Sequence, residues 1–232
     1  MKKLGIIIFI VAILVGVVFA NLFSFGRVSG KLFNFSIGRS VKGSGVTASE
    51  VRNVSGFKGV DVGGVFEVEI IAGNDFEVKV EADENLLQYI KTEVDGGVLK
   101  ISSTERIRSH EPLRVRVSAP TIESLEASGV CKVSLTGVKN NELTIGTSGA
   151  SKVILTGETS WLSIDVSGAS SVEGESLKAE NAKIEASGAS KVNVFVTGRL
   201  VSDASGASKI GYTGNPASVE KSASGASKVY RK

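Results

Sequence analysis

The sequence predicts an all-β protein whose larger part is a right-handed parallel β-helix, a solenoid of about six rungs of 18–20 residues. Three observations predict it. A hexapeptide, Ser-Gly-Ala-Ser-Lys-Val, recurs in near copies at residues 128–133, 148–153, 167–172, 187–192, 205–210 and 224–229, its starts 20, 19, 20, 18 and 19 residues apart. Residues flanking each copy alternate apolar and polar with period two. The chain also holds 27 glycines and three prolines in 232 residues, has few aromatics, and shows no ten-residue helical pattern inside any repeat.

The N-terminus reads differently. Lys2 and Lys3 precede an apolar run over residues 4–20, long enough as a helix to cross a hydrocarbon layer of about 30 Å. The run is long for a cleaved signal, so an uncleaved hydrophobic helix is expected over residues 1–26, with secretion after cleavage at Ala20 as the alternative. Either way the rest of the chain is exported to the cell envelope or beyond. Residues 27–49, rich in Gly, Ser, Lys and Arg, read as a flexible linker, and residues 50–232 as the exported domain.

From residue 50 to 120 the pattern is that of β-hairpins. Val60, Val62, Phe66, Val68 and Ile70 alternate with polar residues around a Gly63-Gly64 break. Gly73-Asn74-Asp75 turns the chain into a strand carrying Val78 and Val80. Asp83 is placed to cap a short helical stretch over residues 84–90, with Leu86, Leu87 and Ile90 on one face. Asp95-Gly96-Gly97 marks another hairpin, and a strand over residues 113–117 ends before Pro120. The carboxylates along these strands read as a solvated face.

Within the repeats, Leu125, Ile145, Ile164 and Ile184 enter the motif on an inward column. Val133, Val153, Val172, Val192, Ile210 and Val229 leave it on another. Between them Gly129, Gly149, Gly168, Gly188, Gly206 and Gly225 are the structural bend, since glycine alone takes positive φ without steric cost where backbones stack. The following Ala is expected to fill a tight site in the stack, and the serines to bond nearby backbone. Thr-Gly pairs such as Thr136-Gly137 supply the turn between rungs.

Repetition enlarges one surface feature, a column of Lys132, Lys152, Lys191, Lys209 and Lys228 interrupted by Ser171. It serves solubility and blocks edge pairing, or it forms a cationic strip for an anionic glycan or other envelope polymer. The last repeat shows no cap, which raises the expectation of homo-oligomers formed through the C-terminal end.

Several classes of chemistry find no support. A net charge of +3 is too small to imply nucleic acid. One histidine, His110, makes neither a catalytic triad nor a zinc site, and it reads as a surface residue. No glycine-rich stretch ends as a phosphate loop, the calcium-binding nonapeptide is absent, and no cofactor is expected. The single Cys131 replaces the second Ser of the motif and reads as a small packing residue; Trp161 reads as core or rim packing.

The opening over residues 54–62, the Gly-x-Phe-x-Val-x-Ile alternation, the Asp83-Glu-Asn-Leu-Leu step, residues 97–101 and the repeated hexapeptide together resemble the putative auto-transporter adhesin, head GIN domain family. The resemblance covers residue 50 to the end. It implies an envelope-attached or secreted, mostly β domain of β-helical character and supplies no catalytic residue. The expected function is a non-enzymatic envelope or surface-binding module. A carbohydrate-active enzyme on a β-helix scaffold and a purely structural or stress-related envelope protein are the alternatives.

Overall fold

The computed structural model describes residues 40–232. Two parallel sheets meet at the Ser-Gly bends, and each hexapeptide links a strand of one to a strand of the other. The upstream sheet runs, in spatial order, through Val98–Ser103, Gly59–Gly64, Ser124–Gly129, the C-terminal parts of Lys132–Thr147, Lys152–Val166 and Ser171–Ala186, then Arg199–Ala204 and Ser218–Ala223. The downstream sheet runs through Arg114–Ala119, Glu67–Ala72, the N-terminal parts of the same three long strands, then Lys191–Val196, Lys209–Thr213 and Lys228–Arg231. The expected parallel solenoid is the fold.

Register follows the apolar columns. Leu125 stands opposite Ile145, Ile145 opposite Ile164 and Ile164 opposite Ile184, all at most 2% exposed. Val133, Val153, Val172, Val192 and Ile210 align in the same way at 0%. Full burial of each such side chain is worth about 1.5–3 kcal/mol. A slip of one residue would turn a whole column to water, which fixes the register.

Thr197-Gly198 and Thr213-Gly214 break the strands as expected, whereas the two earlier Thr-Gly corners do not. Lys132–Thr147 and Lys152–Val166 run on through Thr136-Gly137 and Thr156-Gly157, their mutual ladder shifting register between Leu135 and Val138. The corner is a bulge within a continuous strand, which bends the sheet without ending its pairing.

Residues 50–120 supply both further levels and a lid. The 59–72 level lies between the 124–136 level on one side and the 98–119 level on the other, so spatial order differs from chain order. Beyond the 98–119 level the ladders turn antiparallel: Ile90–Asp95 closes the upstream sheet, while Glu77–Asp83 and then Thr47–Arg52 extend the downstream one. Changing direction there ends the parallel stack at this end of the molecule.

The folded unit begins ahead of residue 50, because Thr47–Arg52 pairs with Glu77–Asp83 and Val41–Lys42 with Ile107–Arg108. The short helix is a 3-10 turn, Glu84–Tyr89, and it buries Leu86 alone. Asp83 makes no side-chain cap bond to it. The Asp83 carboxylate is instead buried, 1% exposed, and accepts the Ser109 hydroxyl at 3.4 Å.

The expected N-terminal helix and its cleavage site lie outside the described residues. Among the described residues no helix is long and apolar enough to cross a membrane.

Candidate functional site

At the bends the backbone dictates the sequence. The column Gly129 to Gly225 has φ between +70° and +95°, and every glycine carbonyl before the last accepts the amide of the third motif residue one level on, as Ala169 N–H to Gly149 O at 2.8 Å. A Cβ on Gly168 would stand 2.5 Å from that same oxygen. Glycine is therefore required twice over, by conformation and by contact.

The alanine does not fill a tight site. Ala150, Ala169, Ala189, Ala207 and Ala226 are exposed, whereas the next residue, Ser151, Ser170, Ser190 or Ser208, is at most 2% exposed. The Ser208 hydroxyl lies 2.8 Å from the Ser205 carbonyl and 3.0 Å from that of Ala186, one level back. Cys131 holds the same inner position, its Sγ 3.3 Å from the Ser128 carbonyl, and burial pushes its thiol pKa above the ordinary value.

The lysines stack as expected but differ in charge state of their surroundings. Lys132 stands between Lys152 and Glu67 in register, with Glu67 shared between Lys132 at 3.7 Å and Arg114 at 3.5 Å. Lys152 pairs with Glu173 at 2.8 Å. Past the Ser171 gap, Lys191, Lys209 and Lys228 continue the column in register and hold no ion pair among the described residues. The column is thus half neutralised and half free.

The free half has companions that repetition did not reveal. Tyr230 lies over Gly211, where a Cβ would be 3.2 Å from its hydroxyl, and the Lys228 ammonium sits 5.4 Å from its ring centroid. Asn193, opposite Gly211, is 4% exposed and its Oδ1 has no hydrogen-bond partner.

A second site adjoins the neutralised half. In the 98–119 level the tight bend is replaced by the longer stretch between Val98–Ser103 and Arg114–Ala119, which overhangs the neighbouring bends. The alignment is set by hydrogen bonds: Glu67 N–H to Leu113 O at 2.9 Å, Lys132 N–H to Phe66 O at 2.9 Å and Lys152 N–H to Cys131 O at 2.7 Å. Residues 63–68, Gly-Gly-Val-Phe-Glu-Val, are therefore one more copy of the motif, with Val65 in the outer alanine position. Between the overhang and the bends lies a groove of about 1300 Å³.

Its floor includes Val65 and Val130, 65% and 57% exposed, with Phe66 buried beneath. Cations on its walls are Lys42, Arg106, Arg108, Lys132 and Lys152, against the carboxylates of Glu67, Glu105 and Glu111. His110 is exposed on the same overhang.

The outer face of the upstream sheet carries a row of acids. Asp61 aligns with Glu126, and Asp165, Glu185 and Asp203 follow in register beyond Gly146. The Glu126 carboxylate folds over Gly146, filling the place a Cβ would take. Burial, and then Asp61 and Asp165, raise its pKa above the ordinary carboxylate range. Among the described residues no group of His, Cys, Asp and Glu is placed to hold a metal ion. Trp161 is 40% exposed, outside the core.

The described residues thus form a parallel solenoid with a lidded end and charged columns along its faces. The family model described as "Putative auto-transporter adhesin, head GIN domain" matches residues 56–216, and the chain belongs to that family. Among crystal structures it is similar to a putative adhesin from Bacteroides fragilis, with 16% identity and a TM-score of 0.69, covering 83% of this chain and 100% of that one. A putative lipid binding protein from Parabacteroides distasonis shares 19% identity at a TM-score of 0.54, covering 84% and 100%. A putative adhesin from Parabacteroides merdae shares 16% at 0.50, covering 83% and 99%. These likenesses establish the fold. No curated protein matches the chain. At the level the family sets, the chain is an adhesin-like head domain of the surface-binding kind.

Proposed function

We propose that the chain is a non-enzymatic binding head of the cell envelope, held at the membrane by its N-terminal apolar run, and that it engages an anionic glycan or related envelope polymer. The observation that carries this reading is the run of Lys191, Lys209 and Lys228. They stand in register on adjacent strands about 4.8 Å apart, without ion pairs among the described residues. Like charges so close repel, and a polyanion lying along the solenoid axis relieves that repulsion, its own repeat running in the direction in which the lysines stack. Tyr230 adds an aromatic face beside the charges, suited to a sugar ring.

A carbohydrate-active enzyme would need carboxylates converging on a bound chain. Here the acids of the upstream sheet form a line on an open face. Glu67, the carboxylate in register with the lysines, is already shared by two cations. Both features favour binding over cleavage.

The test uses the full chain in phosphatidylcholine nanodiscs and compares its binding to alginate with its binding to neutral dextran across a salt series. Alginate alone is expected to bind, more weakly as salt rises. Replacing Lys191, Lys209 and Lys228 together by Ser is expected to lower affinity on the order of tenfold or more. Replacing Lys132 and Lys152 should change little. Undiminished binding by the triple variant would overturn the reading.

A further inference from the structure

The outer position of the bend is alanine in five levels, Ala150, Ala169, Ala189, Ala207 and Ala226, and valine in two, Val65 and Val130. Those two are the levels nearest the overhang between Ser103 and Arg114. Both valines are left largely exposed, although alanine fits the same bend five times over. The added methyl groups belong to side chains left largely in water, and both valines line the groove.

Three of the five cations on the groove walls are also uncommitted. Lys132 and Lys152 are paired with Glu67 and Glu173, whereas Lys42, Arg106 and Arg108 hold no ion pair among the described residues. Arg106 and Arg108 flank Ile107, which packs against the core, so the two guanidinium groups stay at the rim. The Val41–Lys42 strand pairs with Ile107–Arg108 and brings Lys42 beside them.

We propose that this groove seats one acyl chain of an anionic lipid, with the chain on Val65 and Val130 and the headgroup against Arg106, Arg108 and Lys42. A small hydrophilic anion would use the rim and leave the valines wet. A neutral hydrocarbon would cover the valines and leave the guanidinium groups without a counter-ion. An amphiphile satisfies both, since apolar area is covered while the charged donors gain phosphate or carboxylate oxygens. Position favours lipid as the source. Only 21 residues separate Ala20, at the end of the apolar run, from Lys42. If a bilayer holds that run, the rim stays within about 75 Å of it even with the intervening chain fully extended.

The groove is a separate site from the column of Lys191, Lys209 and Lys228, and its test can fail without touching the glycan reading. The full chain is reconstituted in phosphatidylcholine vesicles doped with phosphatidylglycerol carrying a photoactivatable diazirine at the end of one acyl chain. After irradiation, labelled peptides are mapped by mass spectrometry. Label is expected to concentrate on the peptides containing Val65 and Val130, and to fall about tenfold when the diazirine is carried by phosphatidylcholine. Arg106→Glu with Arg108→Glu should reduce the phosphatidylglycerol labelling to a similar degree. Val65→Ala with Val130→Ala, which restores the bend seen elsewhere, should also reduce it while leaving the circular dichroism spectrum unchanged. Equal labelling by the two lipids, label spread evenly over the surface, or cross-links to a second copy of the chain in place of lipid would each overturn the proposal.

Discussion

The carbonyl oxygen of Gly149 lies 2.5 Å from where a Cβ on Gly168 would stand, and it accepts the Ala169 amide at 2.8 Å. Gly168→Ala must therefore adopt a left-handed backbone and displace a ladder carbonyl together. A loss of about 2–4 kcal/mol is expected by denaturant titration. Gly73→Ala, also at positive φ but with nothing within 4 Å, should lose only about 1–2 kcal/mol. Equal losses would mean that the stack can shift to admit a side chain.

The inner serines are not equivalent. Ser208 reaches two carbonyls, and Ser208→Ala is expected to cost about 1 kcal/mol. Ser190 is equally buried, yet its hydroxyl has no partner, so Ser190→Ala should be neutral or slightly stabilising. Thermal unfolding of the two variants side by side decides the point.

Cys131 is 3% exposed and its thiol pKa lies above the ordinary value. Ellman's reagent at pH 8 should leave it unmodified in the folded protein and titrate one thiol per chain in guanidinium chloride. Cys131→Ser restores the repeat and should alter stability by less than about 1 kcal/mol. Rapid modification of the native protein would contradict the burial described.

Glu126 has a pKa raised by burial and by Asp61 and Asp165. The native state thus binds this proton more readily than the unfolded chain does. The associated stability is complete below the unfolded value of about 4.3 and is lost as pH rises through the folded one. Glu126→Gln should be the more stable protein at pH 7, by less than about 1 kcal/mol because water and salt screen the exposed face, and the difference should vanish near pH 4. A gap that widened on acidification would show that the carboxylate is stabilised in the fold.

The solenoid was legible because each level repeats the same constraint. Leu125, Ile145, Ile164 and Ile184 fall into one column once the Ser-Gly steps are aligned, and the structure pairs them so. The alanine was misread for its size. Strict alternation carried through the bend, inward at Ala127 and outward at Ser128, already turns Val130 out and Cys131 in, as observed. Residues 63–68 escaped notice because 65 positions, in place of 18–20, separate Gly63 from Ser128. Of the six hexapeptides only the first carries valine at the outer bend position, Val130, so the valine pair shows only once Val65 in the 59–72 level is aligned with it. The pairing of Lys132 and Lys152 with acids depends on Glu67 and Glu173, which belong to no common motif, and only coordinates bring them together.

Chain order and spatial order part company around the 59–72 level, which is flanked on both sides by strands that come later in the sequence. A polypeptide made from its N-terminus onward cannot lay down this end one turn at a time. Its earliest strands wait, edges bare, until residues 98–119 and 124–136 have both emerged. From residue 143 onward each new turn needs only the one before it. Assembly is thus delayed at the start and sequential afterwards, and the slow phase of refolding should belong to the lidded end.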